Sequence, residues 1–379
     1  MNKVAASKSP RGFGTILRTE YPLLIGLTSA GFFLWLGSAT LEDVAHPLLL
    51  AGIFAWLFFG VLWSAISVVR HAEAVAVKTG EPYGTVILTL SAITIEVIMI
   101  SAAVLHGANN PTLARDMMFA MLMIALNGVI GLSLLLGGLR HREQFYNLQG
   151  ASAYLNTIMA LSVLGLVLPN FTTSLSGPRL SSTQEEFLVV TSLTLYAVFL
   201  MLQTRRHQQY FMEAQGEKAS GGHAHDVPTR STGFHVSMLI LYLVAVIVLA
   251  EKFAIPLDNC IERLGMPQAL GGAIVASLVL APEALAAIQA ALQNHLQRSV
   301  NILHGSVLAS IGLTIPAVLI IGIATHRAVT LGIEGGNVPL LLLTLASSIV
   351  TFGGGRTSIL QGCIHLLLFG VFLLLIFCP

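Results

Sequence analysis

Eleven long apolar runs, separated by short polar breaks, constrain this chain more than any other feature. They fall at about 21–38, 47–70, 83–106, 117–139, 152–169, 187–203, 234–254, 268–292, 300–323, 337–353 and 358–377. A helix needs about 20 apolar residues to cross the hydrocarbon core of a bilayer. Backbone polar groups in lipid must be satisfied internally, so runs this long read as helices. The 379 residues are 55% hydrophobic and 10% charged, whereas a soluble domain carries about 25% charged residues. The fold class is therefore an all-α polytopic membrane protein of about 11 transmembrane helices. The lipid bilayer is its first partner. A net charge of +1 gives no reason to expect a nucleic-acid partner. Cys260, Cys363 and Cys378 are scattered without zinc-ligand spacing, an odd number that suggests no disulfide framework.

Loop charge predicts the orientation. With the N-terminus cytoplasmic, 14 of the 19 Lys and Arg residues fall on the cytoplasmic side and 5 on the other. The prediction is N-terminus in, C-terminus out. The basic leader (Lys3, Lys8, Arg11, Arg18) and the apolar run after it read as a retained first helix.

The third and eighth runs share a pattern. Gly84 precedes Glu96 by twelve residues, and Gly271 precedes Glu283 by twelve. An arginine-bearing link follows each, at Arg115 and Arg298, and then another long apolar run. The two runs cross in opposite directions, which suggests inverted repeats. Such repeats hold substrate between them at mid-bilayer in many secondary transporters. The predicted organisation is 1–46, a cytoplasmic N-terminus and an extra first helix; 47–203, a first five-helix repeat; 204–233, a cytoplasmic His-containing linker; and 234–379, a second five-helix repeat.

Of 18 Asp and Glu residues, Glu96 and Glu283 alone sit deep within runs. Intramembrane charge is costly and usually marks an ion pathway. The alternative is a protonated glutamate bonded to a neighbouring helix. Ser91 and Thr94 offer oxygens near Glu96, and Pro282 should break the helix before Glu283 and expose carbonyls. Hard cations want such oxygen ligands, so Ca²⁺ or Na⁺ would suit the pair as metal ligands better than a soft transition metal. Carboxylates also bind protons, so H⁺ and a cation can compete for one site. No bound cofactor is expected. Asn127, Ser306 and Ser310 could line the site, or could serve helix packing through small and amide side chains.

Gly80-Glu81-Pro82-Tyr83-Gly84-Thr85 through Glu96 resembles the first repeat of the calcium/cation antiporter superfamily. Pro282-Glu283-Ala284, Gly305-Ser306 and the stretch Gly355 to Gly362 resemble its second half. Within it, the chain is most similar to proton-coupled bacterial calcium/sodium/potassium–proton antiporters. The resemblance runs from about residue 47 to the end. It implies cation export driven by proton entry across a bacterial inner membrane, with Glu96 and Glu283 as the repeat glutamates. It also implies entrance acids, matched by Glu73 and more weakly by Glu251. Many calcium–proton exchangers have a Gly-Asn-Ala-like turn before each repeat glutamate; here those stretches are Ala92-Ile93-Thr94-Ile95 and Val279-Leu280-Ala281-Pro282. Ala309 stands where a glutamine is common. The preferred cation therefore stays open.

His207, His223, His225 and His235 lie in or beside the linker and suggest a solvated loop, or a metal or pH-sensing tract. His304 and His365 should make packing hydrogen bonds, and Arg356 should snorkel to the interface. Two other function classes were weighed. An intramembrane enzyme needs a catalytic constellation, and there is no His-Glu-x-x-His, no Gly-x-Ser-x-Gly and no pair of intramembrane aspartates. A cation channel using the same glutamates is the other; a voltage-gated one would want an arginine-rich span, which is absent.

Overall fold

The computed structural model describes residues 19–37, 41, 44, 46–80, 83–106, 112–212, 230–325 and 328–378, with the backbone alone described at 83–86, 88 and 102–106. The chain is mostly helical. Helix α1 (Tyr21–Leu36) is followed by α2 (Pro47–Thr79), α3 (Tyr83–His106), α4 (Leu113–Met123), α5 (Ile130–His141), α6 (Leu148–Ser162) and α7 (Ser182–Met201). Then come α8 (Thr232–Arg263), α9 (Ala269–Leu292), α10 (Leu296–Ala309), α11 (Ile315–Thr325), α12 (Asn337–Thr351) and α13 (Ile359–Phe377). Two short strands, β1 (Gln144–Phe145) and β2 (Arg356–Thr357), pair antiparallel.

Among the described residues, eight helices are long and apolar enough to cross a membrane. Two of them join a pair of α-helices through a π-helical turn: α4 and α5 through Ile124–Val129, and α10 and α11 through Ser310–Thr314. Three shorter apolar helices, Tyr21–Leu36, Thr89–Ser101 and Asn337–Thr351, fall on the other expected spans.

Some boundaries differ from the hydropathy reading. The second run was expected to end at 70, but α2 continues to Thr79, past Arg70, His71, Glu73 and Lys78. Hydropathy falls where charges begin, whereas a helix ends where its backbone bonding ends. That happens at Gly80, whose φ of 70° suits a residue without a Cβ and whose N–H closes on Ala76 O. Likewise α8 runs through Glu251, Lys252 and Pro256 to Arg263 instead of ending near 254. At the predicted linker, helical turns reach Phe211, and His235 lies inside α8. His223 and His225 lie outside the described residues, as does Arg327.

Helix starts are set by short polar side chains. The Asn147 side chain accepts from Gln149 N and Gly150 N to open α6, and Ser181 with Gln184 and Ser358 with Gln361 form capping boxes for α7 and α13. Gly362, in the same stretch as Ser358, packs so tightly that an added Cβ would lie 2.6 Å from Leu135 N. The stretch from Gly355 to Gly362, noted above for its resemblance, thus turns the chain and seats α13 on α5.

The helices pack crosswise. Helix α2 lies along α8, with α1 against both; α3 packs on the π-turn Ser310–Thr314, and α9 packs on the π-turn Ile124–Val129. Turns expected on one side of the membrane bond to one another. His141 reaches Leu292 O at 2.9 Å, Gln144 Nε2 donates to Ala291 O at 2.8 Å, and Asn301 Nδ2 donates to Phe211 O at 2.6 Å. Turns expected on the other side do the same: Arg115 donates to Gly332 O at 3.1 Å, and Asn170 donates to Ile333 O.

Candidate cation site

Glu96 sits in the middle of α3 with 4% of its surface exposed. Ser310 Oγ donates to Glu96 Oε2 at 2.6 Å and lies 3.0 Å from Met121 Sδ. Ser310 opens the π-turn that α3 packs on. A π-turn widens the helix locally and is frequent at functional sites. Thr314 lies on the same turn, within electrostatic reach of Glu96; its Oγ1 is buried and outside hydrogen-bond geometry with any described group.

Glu283 lies on α9, and its Oε2 is buried without a hydrogen-bond partner among the described residues. The charges of Glu96 and Glu73 both act on it. Three carboxylates, from α2, α3 and α9, therefore share one electrostatic neighbourhood. An orphaned carboxylate oxygen is expensive to bury, and an oxygen-preferring cation would relieve that cost. The donor set of carboxylate and hydroxyl oxygens suits such a cation as cargo. Among the described residues, no three His, Cys, Asp or Glu side chains form a metal-holding cluster.

Several expected neighbours of the glutamates are placed elsewhere. Thr94 is exposed and donates to Leu90 O of its own helix at 2.6 Å. Two residues are about 200° of helix turn, so it points away from Glu96. Ser91 is buried but back-bonds to Ile87 O at 2.8 Å. Pro282 is buried inside α9, which is continuous from Ala269 to Leu292, so the expected break is absent. The ring deprives the Leu278 carbonyl of its usual donor, and the surrounding helices hold the rest of the ladder in place.

Asn127 lies on the first π-turn, fully buried. Its Nδ2 donates to Thr344 Oγ1 at 2.8 Å, and its Oδ1 is 3.1 Å from His365 Nδ1. The other ring nitrogen of His365 lies 3.0 Å from Thr351 Oγ1. Asn127 thus ties the π-turn to α12 and α13, and His365 makes the packing bond expected of it. His304 is also fully buried, with Nδ1 at 3.1 Å from Val300 O. Ser306 lies half-buried one turn before Ser310. Glu251 pairs with the buried Lys252 at 2.9 Å, and Arg356 lies exposed, 3.4 Å from Glu143.

Two groups escaped the sequence reading. Thr314 is one; the four-residue spacing of Ser306, Ser310 and Thr314, which puts all three on one helix face, is the signal that would have found it. The second is a cluster around Glu20, which is 7% exposed. Arg70 Nη2 lies 2.6 Å from its Oε2, His71 Nε2 3.2 Å and the Tyr242 hydroxyl 3.2 Å, with Arg230 Nη1 3.6 Å from Oε1. His71 Nδ1 meets His235 Nδ1 at 3.0 Å. No sequence spacing signals it, because the members come from three separate stretches of chain, Arg70 lying 50 and Tyr242 222 residues from Glu20.

The fold is that of a multi-pass membrane protein, and sequence comparison places it among ion exchangers. The sodium/calcium exchanger protein family matches residues 49–205 and 234–378. The chain belongs to that family of ion antiporters, within the calcium/cation antiporter superfamily. The sodium-potassium/proton antiporter ChaA of Escherichia coli K12 is 38% identical over 347 residues, covering 91% of this chain and 92% of that one. The Sinorhizobium fredii protein y4hA is 45% identical over 318 residues, covering 83% and 86%. Native YfkE superposes with a TM-score of 0.70 at 17% identity, over 97% of this chain and 100% of that one.

Proposed function

We propose that this protein is a secondary active antiporter that exports Ca²⁺, Na⁺ or K⁺ in exchange for H⁺, by alternating access around Glu96 and Glu283. The observation that carries this reading is the buried, partnerless Oε2 of Glu283 under the field of two other carboxylates. A cation entering from the cytoplasm binds the deprotonated pair. Ser310, Thr314 and Ser306 supply hydroxyl oxygens on one helix face, and Asn127 holds the opposite π-turn. Glu73 supplies negative charge at the cytoplasmic approach. On the far side, protons bind the glutamates, remove the charge that holds the cation and return inward. One site that cannot hold both at once gives obligatory exchange.

The paired architecture supports the same reading. Helices α3 and α9 both span 24 residues, and each packs on a π-turn from the other half of the chain. We read 47–203 and 234–379 as inverted five-helix repeats, with α1 outside them and eleven crossings in all. The protein would lie in a bacterial inner membrane with its N-terminus in the cytoplasm. ChaA is named for sodium-potassium/proton exchange, and a solved H⁺/Ca²⁺ exchanger, CAX, superposes with a TM-score of 0.67 at 16% identity, over 95% of this chain and 88% of that one. Those names bracket the proposed cargoes. Neither the enzyme nor the channel alternative gains support from a family of antiporters.

The test uses everted membrane vesicles carrying a proton gradient reported by a pH-sensitive dye. Adding Ca²⁺, Na⁺ or K⁺ should collapse the gradient with the wild-type chain. Glu96→Gln and Glu283→Gln should each abolish the response while leaving expression and detergent elution unchanged. Normal exchange in either variant sinks the assignment.

A further inference from the structure

The outer wall of the bundle carries a groove unrelated to the glutamates. It lies between α1 and α2, encloses about 190 Å³ and is lined by apolar atoms alone. Pro22, Ile25 and Gly26 form one wall, and Trp56, Gly60 and Trp63 the other. Behind the groove Gly60 packs toward helix α8: an added Cβ there would meet nothing nearer than Leu249, at 3.5 Å. Trp56 and Trp63 are 47% and 45% exposed, and Ile25 is 46% exposed, so the groove opens toward lipid.

Trp56, Trp63 and Arg70 recur every seven residues, on one stripe of α2. Arg70 is the next residue along that stripe, and its side chain is 47% exposed. It reaches across the mouth, with Nη1 3.4 Å from Thr19 O at the start of α1. Arg230 joins it there, Nη2 donating to Thr19 Oγ1 at 3.1 Å, and Lys78 Nζ donates to the Arg230 carbonyl. Arg70 and Arg230 thus share one carboxylate, Glu20, with Lys78 beside them; with Glu73 of the same helix counted, three cations face two carboxylates. Arg18 immediately precedes Thr19 in sequence. The mouth carries surplus positive charge at the level where a headgroup would sit.

We propose that this groove seats an anionic phospholipid, with an acyl chain between Trp56 and Trp63 and the phosphate on Arg70 and Arg230. Guanidinium groups match phosphate oxygens in a two-pronged geometry. Basic pockets between membrane helices on the cytoplasmic side select anionic headgroups. The seated lipid would clasp α1 to α2.

Native mass spectrometry of the delipidated full chain, given phosphatidylglycerol or phosphatidylcholine, tests this without reading transport. The wild type should retain phosphatidylglycerol at least tenfold better. Glu20→Gln combined with Arg70→Gln and Arg230→Gln, which leaves no buried carboxylate unpaired, should lose that preference. Ile25→Trp, which fills the groove and leaves the cations in place, should reduce retention of both lipids. Inorganic phosphate at equal concentration should not displace the bound lipid. Equal retention of the two lipids by the wild type, an unchanged preference in the triple variant, unchanged retention in Ile25→Trp or displacement by inorganic phosphate would each overturn the proposal.

Discussion

Ser310→Ala isolates the hydrogen bond that ties the second half of the chain to Glu96. The serine is 3% exposed and donates to Glu96 Oε2 at 2.6 Å. Alanine keeps the Cβ, so the change removes one hydroxyl and opens no large cavity. A hydrogen bond to a charged group contributes about 1.5–3 kcal/mol. At about 1.4 kcal/mol per tenfold, losing it from the cation-bound state should raise the apparent KM for the transported cation by roughly 10- to 150-fold. The maximal rate should change less, because both glutamates remain. The assay is the initial rate of dye recovery in everted vesicles as the cation is titrated. Ser348→Ala is the control: its hydroxyl is also fully buried but bonds Thr344 O of its own helix at 2.8 Å. A Ser310→Ala KM within twofold of wild type, or an equal rise in Ser348→Ala, would refute the reasoning.

Two further outcomes follow from packing and charge. Burial works to raise the Glu20 carboxyl, but its bond to His71 and the nearby Arg70 and Tyr242 outweigh burial and hold it below the ordinary carboxylate value. A group depressed in this way stabilises the native state above its unfolded pKa, and that contribution fades as pH falls through the folded pKa. Glu20→Gln should therefore cost about 1.5–2 kcal/mol near neutral pH and flatten the acid side of a Tm-against-pH curve in detergent; an unchanged curve would show that the cluster does not hold α1. Gly362→Ala should destabilise by about 1–3 kcal/mol through overpacking, since its Cβ would press on Leu135 N; Gly370→Ala, with open space around its Cβ, should leave Tm unaltered.

The sequence alone determined which segments are helices and which carboxylates are out of place. Both follow from local quantities: about 20 apolar residues match a bilayer, and Glu96 and Glu283 stand out in any apolar run. The resemblance stretches pointed to the family, and Gly355 to Gly362 proved to be a turn, a cap and a tight helix contact. Side-chain partnership was not legible. Thr94 is two residues from Glu96 in sequence and on another face in space, whereas Ser310, 214 residues away, makes the bond. A helix turns about 100° per residue, so sequence nearness says little about facing direction. Likewise His235 is buried beside His71, and Glu20 meets Arg70 only because α1, α2 and α8 pack together. Only the tertiary structure decided those contacts, because they depend on how whole helices cross, and the residues that set a crossing are seldom those that meet at the site.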